Sequence, residues 1–417
     1  MKKFRIGIFG TGPRGNDLAS TFMMLNCEIV ALCEQRGDKL SQASKKYGED
    51  IPVFTDFDEF IKTDMDAVIL ANYFHEHAPY AIKCLEKGVS VYSECISNGT
   101  MAEGVELVLA AEKSKAVYFL AENYPQMIFN REMKRIVDSG TLGKILYAEG
   151  EYNHPGNPFN MEFKRDYVYF DHHWRNYLPA TYYITHSLGP VMRATGATPK
   201  RVSAMASAAE PVSDIPSVNM SIDKMATIIT RNDDGSVFRI TGCAAMGGHH
   251  NAYRVAGTKG TIENIRGMSP QVMLRYNAWQ IPEGMQEINC YTPDWNDKDE
   301  ELIKKSGHGG GDYLTARLFL ECVEKGTTPE HPYNVYAATA MASVAILAHR
   351  SVLADGVPFD IPDFRLEEDR EKYKDDRISP FYSNKEDVAP TIPCCSKTDY
   401  KPSKAQMDKF HKLFNEK

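Results

Sequence analysis

The stretch Gly10-Thr11-Gly12-Pro13-Arg14-Gly15 constrains this chain more than any other. It follows a short apolar strand, Phe4 to Phe9, and opens a helical pattern from Asp17 to Leu25. A second strand, Glu28 to Cys33, then ends on an acid, Glu34. Three glycines between a strand and a helix, with a carboxylate about 20 residues further on, make the dinucleotide-binding fingerprint. Gly10, Gly12 and Gly15 let the backbone approach a pyrophosphate, and the helix N-terminus turns free N–H groups towards its charge. Glu34 is placed to accept hydrogen bonds from the adenosine ribose and to repel a 2′-phosphate. The expected cofactor is therefore NAD rather than NADP, although Arg36 acts in the opposite sense.

The strand–helix rhythm continues. Asp66 to Leu70, Val89 to Tyr92 and Val117 to Leu120 read as strands, and His75 to Glu86 and Thr100 to Lys115 as helices. This alternation implies a doubly wound parallel sheet with ligands beyond the C-terminal strand ends. Those ends carry Asn72-Tyr73, Ser93-Glu94-Cys95 and Glu122-Asn123-Tyr124, polar groups where a nicotinamide ribose would lie. A Rossmann domain is expected over residues 1–123.

Beyond it the pattern changes. An amphipathic helix runs from Tyr124 to Asp138, followed by a strand from Lys144 to Asn153. Arg201 to Ala208, Met225 to Arg231, Ser236 to Ala244 and Tyr253 to Ala256 read as further strands, with Asp233-Asp234-Gly235 as a hairpin turn. Residues 277–310 read as a long polar loop near the site, and Asp312 to Glu324 and Val335 to Leu353 as helices. The expected fold is α/β: a Rossmann sheet joined to an α+β domain, residues 124–365, with an open and mainly antiparallel sheet. Residues 366–417 form a charged tail, expected to wrap a neighbouring subunit or to lie partly loose.

The 417 residues carry a net charge of −8 with no basic block, which argues against nucleic acid as a partner. No apolar run reads as long enough to span a membrane. The N-terminal stretch reads as a strand and a glycine turn, not as a secretory signal. Nine scattered cysteines without a CxxC pair imply free thiols and a reducing, cytoplasmic setting.

The segment AVILANYFHEHAPYAIKCLEKGVSVYSEC resembles the Gfo/Idh/MocA oxidoreductases. In that family His77 sits in the turn after a strand, and a later strand ends in a Glu-Lys-Pro triplet. Here the triplet is Glu94-Cys95-Ile96, so the usual lysine is missing, and a thiol is no cationic donor. Four further stretches resemble one branch more closely, the NAD-dependent α-N-acetylgalactosaminidases of glycoside hydrolase family 109. They are Ala148 to His154, His173-Trp174-Arg175, Tyr183 to Pro190, and His308-Gly309-Gly310-Gly311-Asp312-Tyr313. The branch also lacks the lysine. Its Tyr-Pro-Thr-His is Tyr183-Ile184-Thr185-His186 here, and Gly247-Gly248-His249-His250 aligns with nothing in it.

The resemblance implies a glycosidase that cycles its cofactor. Oxidation at C3 of the sugar makes a ketone, C2–H becomes acidic, the C1 substituent leaves by elimination, water adds, and the ketone is reduced again. Such chemistry needs groups that work in several protonation states, which suits Tyr and His. Tyr183 is expected to move the C2 proton, His186 the C3 hydroxyl proton, and Glu149, alone or with Glu151, to activate water. Tyr152, Arg175, Thr185 and His250 are expected to touch the sugar. Gly10, Gly12, Arg14, Gly15, Glu34, Asn72, His77, Glu94, Cys95, Asn123 and Tyr183 are expected to hold the cofactor. The histidines lack a tight ligand spacing, so no metal is expected. The expected partner is a small sugar or glycoside, with no nucleic acid and no membrane, bound by a homo-oligomer, dimer or tetramer. Two alternatives stay open: an NAD-dependent sugar dehydrogenase with net hydride transfer, and a non-catalytic NAD-binding sensor.

Overall fold

The computed structural model describes residues 3–415 apart from 158, 163, 165–167, 169, 213–214 and 384–387. Parts of the charged tail, residues 384–387 and 416–417, thus lie outside the described residues. Six strands form the first sheet: β1 Arg5–Phe9, β2 Glu28–Cys33, β3 Val53–Phe54, β4 Ala67–Leu70, β5 Ser90–Ser93 and β6 Tyr118–Leu120. Their order is β3-β2-β1-β4-β5-β6, all parallel. Helices cover both faces, so Ile6, Ile8, Val68, Ile69 and Val91 are all essentially unexposed and the strands are apolar throughout. The order reverses direction between β1 and β4, and that reversal opens a crevice at the C-terminal strand ends.

The second sheet has nine strands in the order β14-β13-β12-β11-β7-β10-β9-β8-β15. They are β7 Ile145–Asn153, β8 Pro199–Ala208, β9 Asp223–Asn232, β10 Val237–Ala244, β11 His250–Gly257, β12 Gly260–Asn264, β13 Val272–Tyr276, β14 Ile288–Tyr291 and β15 Phe359–Asp360. Only the β7–β10 pair is parallel. The expected α/β class and mainly antiparallel second sheet are present. The polar stretch 277–310 is not one loop: it holds β14, a helix at Glu300–Lys305 and a 3-10 turn at His308–Gly310. Its charged composition hid a short edge strand with only alternate residues turned inward.

Helix Val335–Leu353 packs against β8 and against helix Met101–Lys113 of the first domain. By length and composition it could cross a membrane, which corrects the reading that no run is long enough, yet 83% of that stretch is buried inside the protein. Thr339 and Ser343 tolerate burial because each donates its hydroxyl to a carbonyl four residues back, at 2.9 and 2.8 Å. Helix Gly311–Lys325 follows the second sheet in the chain but packs on the first domain. Phe319 lies among Phe22, Tyr92 and Phe119, at centroid distances of 5.3–6.1 Å. The start of that helix is thereby delivered to the Gly10–Gly15 turn.

The tail folds back on its own chain. Phe381 is buried against His75 and Tyr182. His75 Nε2 bonds the carbonyl of Tyr382 at 3.1 Å and His349 Nε2 that of Pro393 at 2.7 Å. Helix Lys404–Asn415 buries Phe410 and pairs His411 with Asp171 at 2.8 Å. Asp171 leads directly into His172-His173-Trp174-Arg175, so the tail anchors that segment.

These imidazoles set an acid limit on stability. Burial lowers His75 and His349 to about 4, and burial and then Arg175 lower His173 to about 3. Each folded value lies below the ordinary 6.5, so each contributes stability above that pH and loses it as pH falls towards the folded value. Glu103, raised by burial to about 7, gains stability over the same range and offsets one of them. From pH 6.5 to 4.5 the unfolded chain binds two more protons at these four sites. Stability should therefore fall by roughly 3 kcal/mol per pH unit, which urea titrations at stepped pH will read. A flat stability over that interval would contradict the assignment of neutral, buried imidazoles.

Candidate active site

Two features bound the crevice at the end of β1. Gly10 adopts φ +92°, and a Cβ there would lie 2.4 Å from the Ala71 carbonyl; one on Gly15 would lie 1.9 Å from the Gly10 carbonyl. Gly12 faces open space and caps helix Pro13–Met24 without a side-chain bond. The glycines thus press the helix start onto the strand end and leave its N–H groups facing the crevice. Glu34 closes the turn from the other side, accepting from the Thr11 and Arg36 amides at 3.0 Å each. Asn72, Glu94, Cys95, Trp174, Arg175 and Tyr183 line the same crevice.

The second sheet gathers the chemistry-bearing groups around its central strand β7. A Cβ on Gly150 would lie 1.9 Å from the Ser187 carbonyl, so helix Thr185–Thr195 starts directly on β7. Tyr152, two residues along that face, then meets His186 edge-on at 4.9 Å and Tyr183 at 5.7 Å. Tyr124 stacks on the His186 ring at 4.0 Å, and Tyr253 donates to the His186 carbonyl at 2.5 Å. The Tyr183 hydroxyl lies 3.4 Å from His186 Nε2. His186 Nδ1 lies 2.8 and 3.0 Å from the two oxygens of Glu122, whose side chain is wholly buried.

Glu122 was read from the sequence only as a polar strand end, yet it stands behind His186. Burying a carboxylate costs several kcal/mol unless donors surround it. Here the donors are His186 Nδ1–H, the Tyr124 amide at 3.1 Å and the Cys95 thiol at 3.3 Å. Burial pushes the Glu122 carboxyl up, but His186 and these bonds hold it below its ordinary value, so it stays ionised. With Nδ1 donating to Glu122, Nε2 faces Tyr183 as an acceptor. A single acid directly after the apolar run Val117 to Ala121 is the one sequence sign of such a buried partner.

A second network joins the domains. Arg14 grips Asp312 through both terminal nitrogens at 3.0 and 2.9 Å and donates to Glu94 at 2.6 Å. Asn123 and His308 also bond Asp312, at 2.6 and 2.9 Å. Asp312 is held well below the carboxylate range: burial opposes this, and Arg14 and His308 outweigh it. Arg14 and Asn123, expected to touch the cofactor, thus both donate to Asp312. His77 is buried with Nδ1 on the Ile96 carbonyl at 2.9 Å.

Four expected site residues, Glu149, Glu151, His250 and Thr185, are not brought to the crevice. Glu149 is bound by Arg239 at 2.8 Å and Tyr147 at 2.9 Å, and His250 bonds Glu151 at 2.6 Å. All lie on the back of the sheet, because side chains alternate along a strand and β7 turns Tyr152 forward. Thr185 is buried beside Cys95 and Glu122, beneath the opening.

Residues 131–371 match the family model for the glycosyl hydrolase 109 C-terminal domain, which covers more than half of the chain. The chain belongs to the glycosyl hydrolase 109 family. Residues 4–122 match the oxidoreductase family with an NAD-binding Rossmann fold. A glycosyl hydrolase family 109 protein of Streptomyces filamentosus is 25% identical over 394 residues, covering 86% of this chain and 77% of the relative. One from Akkermansia muciniphila is 24% identical over 408 residues, covering 87% and 82%. In fold, the chain is similar to levoglucosan dehydrogenase, solved with NADH and L-sorbose, at a TM-score of 0.72 and 17% identity, covering 87% of this chain and all of that one. An aldose-aldose oxidoreductase from Caulobacter crescentus gives 0.67 and 18%, covering 86% and 100%.

This glycosyl hydrolase 109 member is thus an NAD-binding enzyme of Gfo/Idh/MocA type. Its crevice fits the cofactor. The open face of Gly12, the uncapped helix start and the Glu34 carboxylate are the donor and acceptor set a dinucleotide needs. Buried Thr11 Oγ1 and Asn72 Oδ1 have no hydrogen-bond partner among the described residues. Replacing Glu34 with Ala removes a charged acceptor and the repulsion of a 2′-phosphate. The preference for NAD over NADP should then shrink by roughly tenfold or more, read by calorimetric titration of both. An unchanged affinity ratio would show that Glu34 does not select the cofactor.

Proposed function

We propose that this enzyme is a glycoside hydrolase that returns its NAD unchanged after each turnover. NAD, when bound, supplies reversible two-electron oxidation of a sugar carbinol. The rest of the work is proton movement, and the line Tyr183–His186–Glu122 carries the reading. Glu122 fixes the imidazole tautomer and stabilises its cationic form. His186 takes the proton of the C3 hydroxyl. With C3 a ketone, C2–H is acidic enough for Tyr183 acting as its phenolate, which His186, cationic once it holds the C3 hydroxyl proton, stabilises across a contact of 3.4 Å that tightens once substrate excludes water. Loss of the C2 proton expels the C1 substituent; water then enters and adds at C1, and Tyr183, its proton exchanged with that water, protonates C2. Arg175, held over the Trp174 ring at 4.3 Å, and Tyr152 orient the sugar.

Cys95 supports hydrolysis over net oxidation. Its thiol is spent on Glu122, and burial, then Glu122, raise it well above its ordinary value, so it neither loses nor lends a proton to a hydroxyl. The sugar dehydrogenase reading has support of its own: similar folds include levoglucosan dehydrogenase solved with NADH and levoglucosan, at 17% identity. Incubation with aryl glycosides and NAD separates the two. Aglycone release without accumulating NADH is the expected outcome; NADH rising in step with substrate consumed would make the protein a dehydrogenase.

A further inference from the structure

The proposed reaction needs a proton that Tyr183, His186 and Glu122 do not supply. When the C1–O bond breaks, its electron pair goes to the aglycone oxygen, and an alkoxide is too basic to leave without a proton. His186 by then holds the proton of the C3 hydroxyl. Glu149 and Glu151, expected from the sequence to serve water at C1, lie on the back of the sheet, bound by Arg239 and His250.

His308 stands where such a donor is needed. His186, His250, His308 and His411 each bond a carboxylate through one ring nitrogen, which fixes the tautomer and steadies the cationic ring. His250 is behind the sheet and His411 is on the tail. His186 and His308 instead meet at one buried ring: Tyr124 stacks on His186 at 4.0 Å, and lies 5.9 Å from His308 and 5.5 Å from Tyr152. His154 and His249 touch each other nearby, but neither bonds a carboxylate among the described residues. The side chain of His186 is 8% exposed and that of His308 is 37% exposed, so His186 is the inner and His308 the outer of the two. The aglycone is the end of a glycoside that departs towards solvent, so its acid belongs at the outer position. The loop is shaped to hold the imidazole there. A Cβ on Gly307 would lie 2.4 Å from Asp312 Oδ2, so glycine lets the loop pass over that carboxylate. His308 Nδ1 bonds the same oxygen at 2.9 Å, and its Nε2 has no hydrogen-bond partner among the described residues. Arg14 is a single cation between two carboxylates, Glu94 and Asp312, and a proton on His308 balances the cluster.

We infer that His308 is the acid and base at C1. Its Nε2–H protonates the aglycone oxygen as the C1–O bond breaks, and the neutral ring then takes a proton from the water whose oxygen bonds C1. The inference rests on the proposed hydrolase reading. 4-Nitrophenyl galactosides, glucosides and their N-acetylamino forms, in both anomers, identify a sugar that the NAD-loaded enzyme cleaves. The methyl, phenyl and 2,4-dinitrophenyl glycosides of that sugar are then compared in the parent and in His308→Gln. The amide keeps a donor for Asp312 but has no proton to transfer. The variant should lose roughly 10²–10⁴ in kcat/KM on the methyl glycoside and less than about tenfold on the 2,4-dinitrophenyl glycoside, whose weakly basic aglycone leaves unaided. With the methyl glycoside, stopped-flow absorbance should show NADH forming at the parental rate and building up on the variant, because oxidation at C3 precedes cleavage at C1. A distorted site would slow NADH formation as well. No loss, a loss equal for every aglycone, or NADH formation slowed as much as cleavage would each overturn the inference and leave the hydrolase reading standing on the parent's cleavage. A parent that cleaves none of these glycosides ends the hydrolase reading, and the inference falls with it.

Discussion

Tyr183→Phe should lower glycoside turnover by roughly 10²–10⁴, the usual worth of a positioned general base. The substitution removes only the hydroxyl. The ring keeps its edge contacts with Tyr152 at 5.7 Å and Phe74 at 5.6 Å, so packing is preserved. NAD binding should be unchanged, because the glycine turn and Glu34 do not depend on the hydroxyl. Oxidation at C3 relies on His186 and should persist. The variant should therefore reduce bound NAD in a single turnover and then stall before the aglycone leaves. Stopped-flow NADH absorbance set beside aglycone release reads both events. A variant that releases aglycone at the parental rate would remove Tyr183 from the chemistry.

Glu122→Gln is the second large effect. The amide has the same shape but carries no charge, so the cationic imidazole loses its buried counter-charge. Breaking such a pair costs about 3–5 kcal/mol, which corresponds to a rate loss of roughly 10²–10⁴. The amide can also present its NH2 to His186 Nδ1 and so turn the tautomer around, leaving Nε2 protonated and unable to accept from Tyr183. A purely structural role would lower melting temperature and protein yield together with turnover. The expected signature is a loss of kcat at unchanged melting temperature and unchanged NAD affinity. Glu122→Asp, which keeps the charge on a shorter arm, should recover part of the loss.

Much of this was legible in the sequence, and the exceptions have physical causes. The Gly10–Gly15 turn with Glu34 fixes the first domain, because glycine spacing and an acid after the second strand leave few alternatives. Tyr183 and His186 stand close because the chain turns between them into helix Thr185–Thr195, which brings residues three apart to one side. Strand parity alone separates Glu149 from the site: residues of one parity share a strand face, so Glu149 and Glu151 face away from the side that Tyr152 presents. His250 was misplaced for a different reason, since only the register of β11 against β7 decides which of two adjacent histidines looks forward. Glu122 was beyond local pattern. Its partner lies 64 residues away, and only tertiary packing reveals that a strand-end carboxylate backs an imidazole. The Arg14–Asp312 grip spans 298 residues and depends on the return of helix Gly311–Lys325 to the first domain.

The most direct measurement follows hydrogen at C2 of the sugar. A cleaved aryl glycoside is incubated with the NAD-loaded enzyme in deuterated water, and the released sugar is read by NMR. Elimination through a 3-ketone predicts deuterium at C2 in every released molecule, with no net NADH formed. Released sugar that keeps its original hydrogen at C2 would contradict the account, and a direct displacement at C1 would have to replace it.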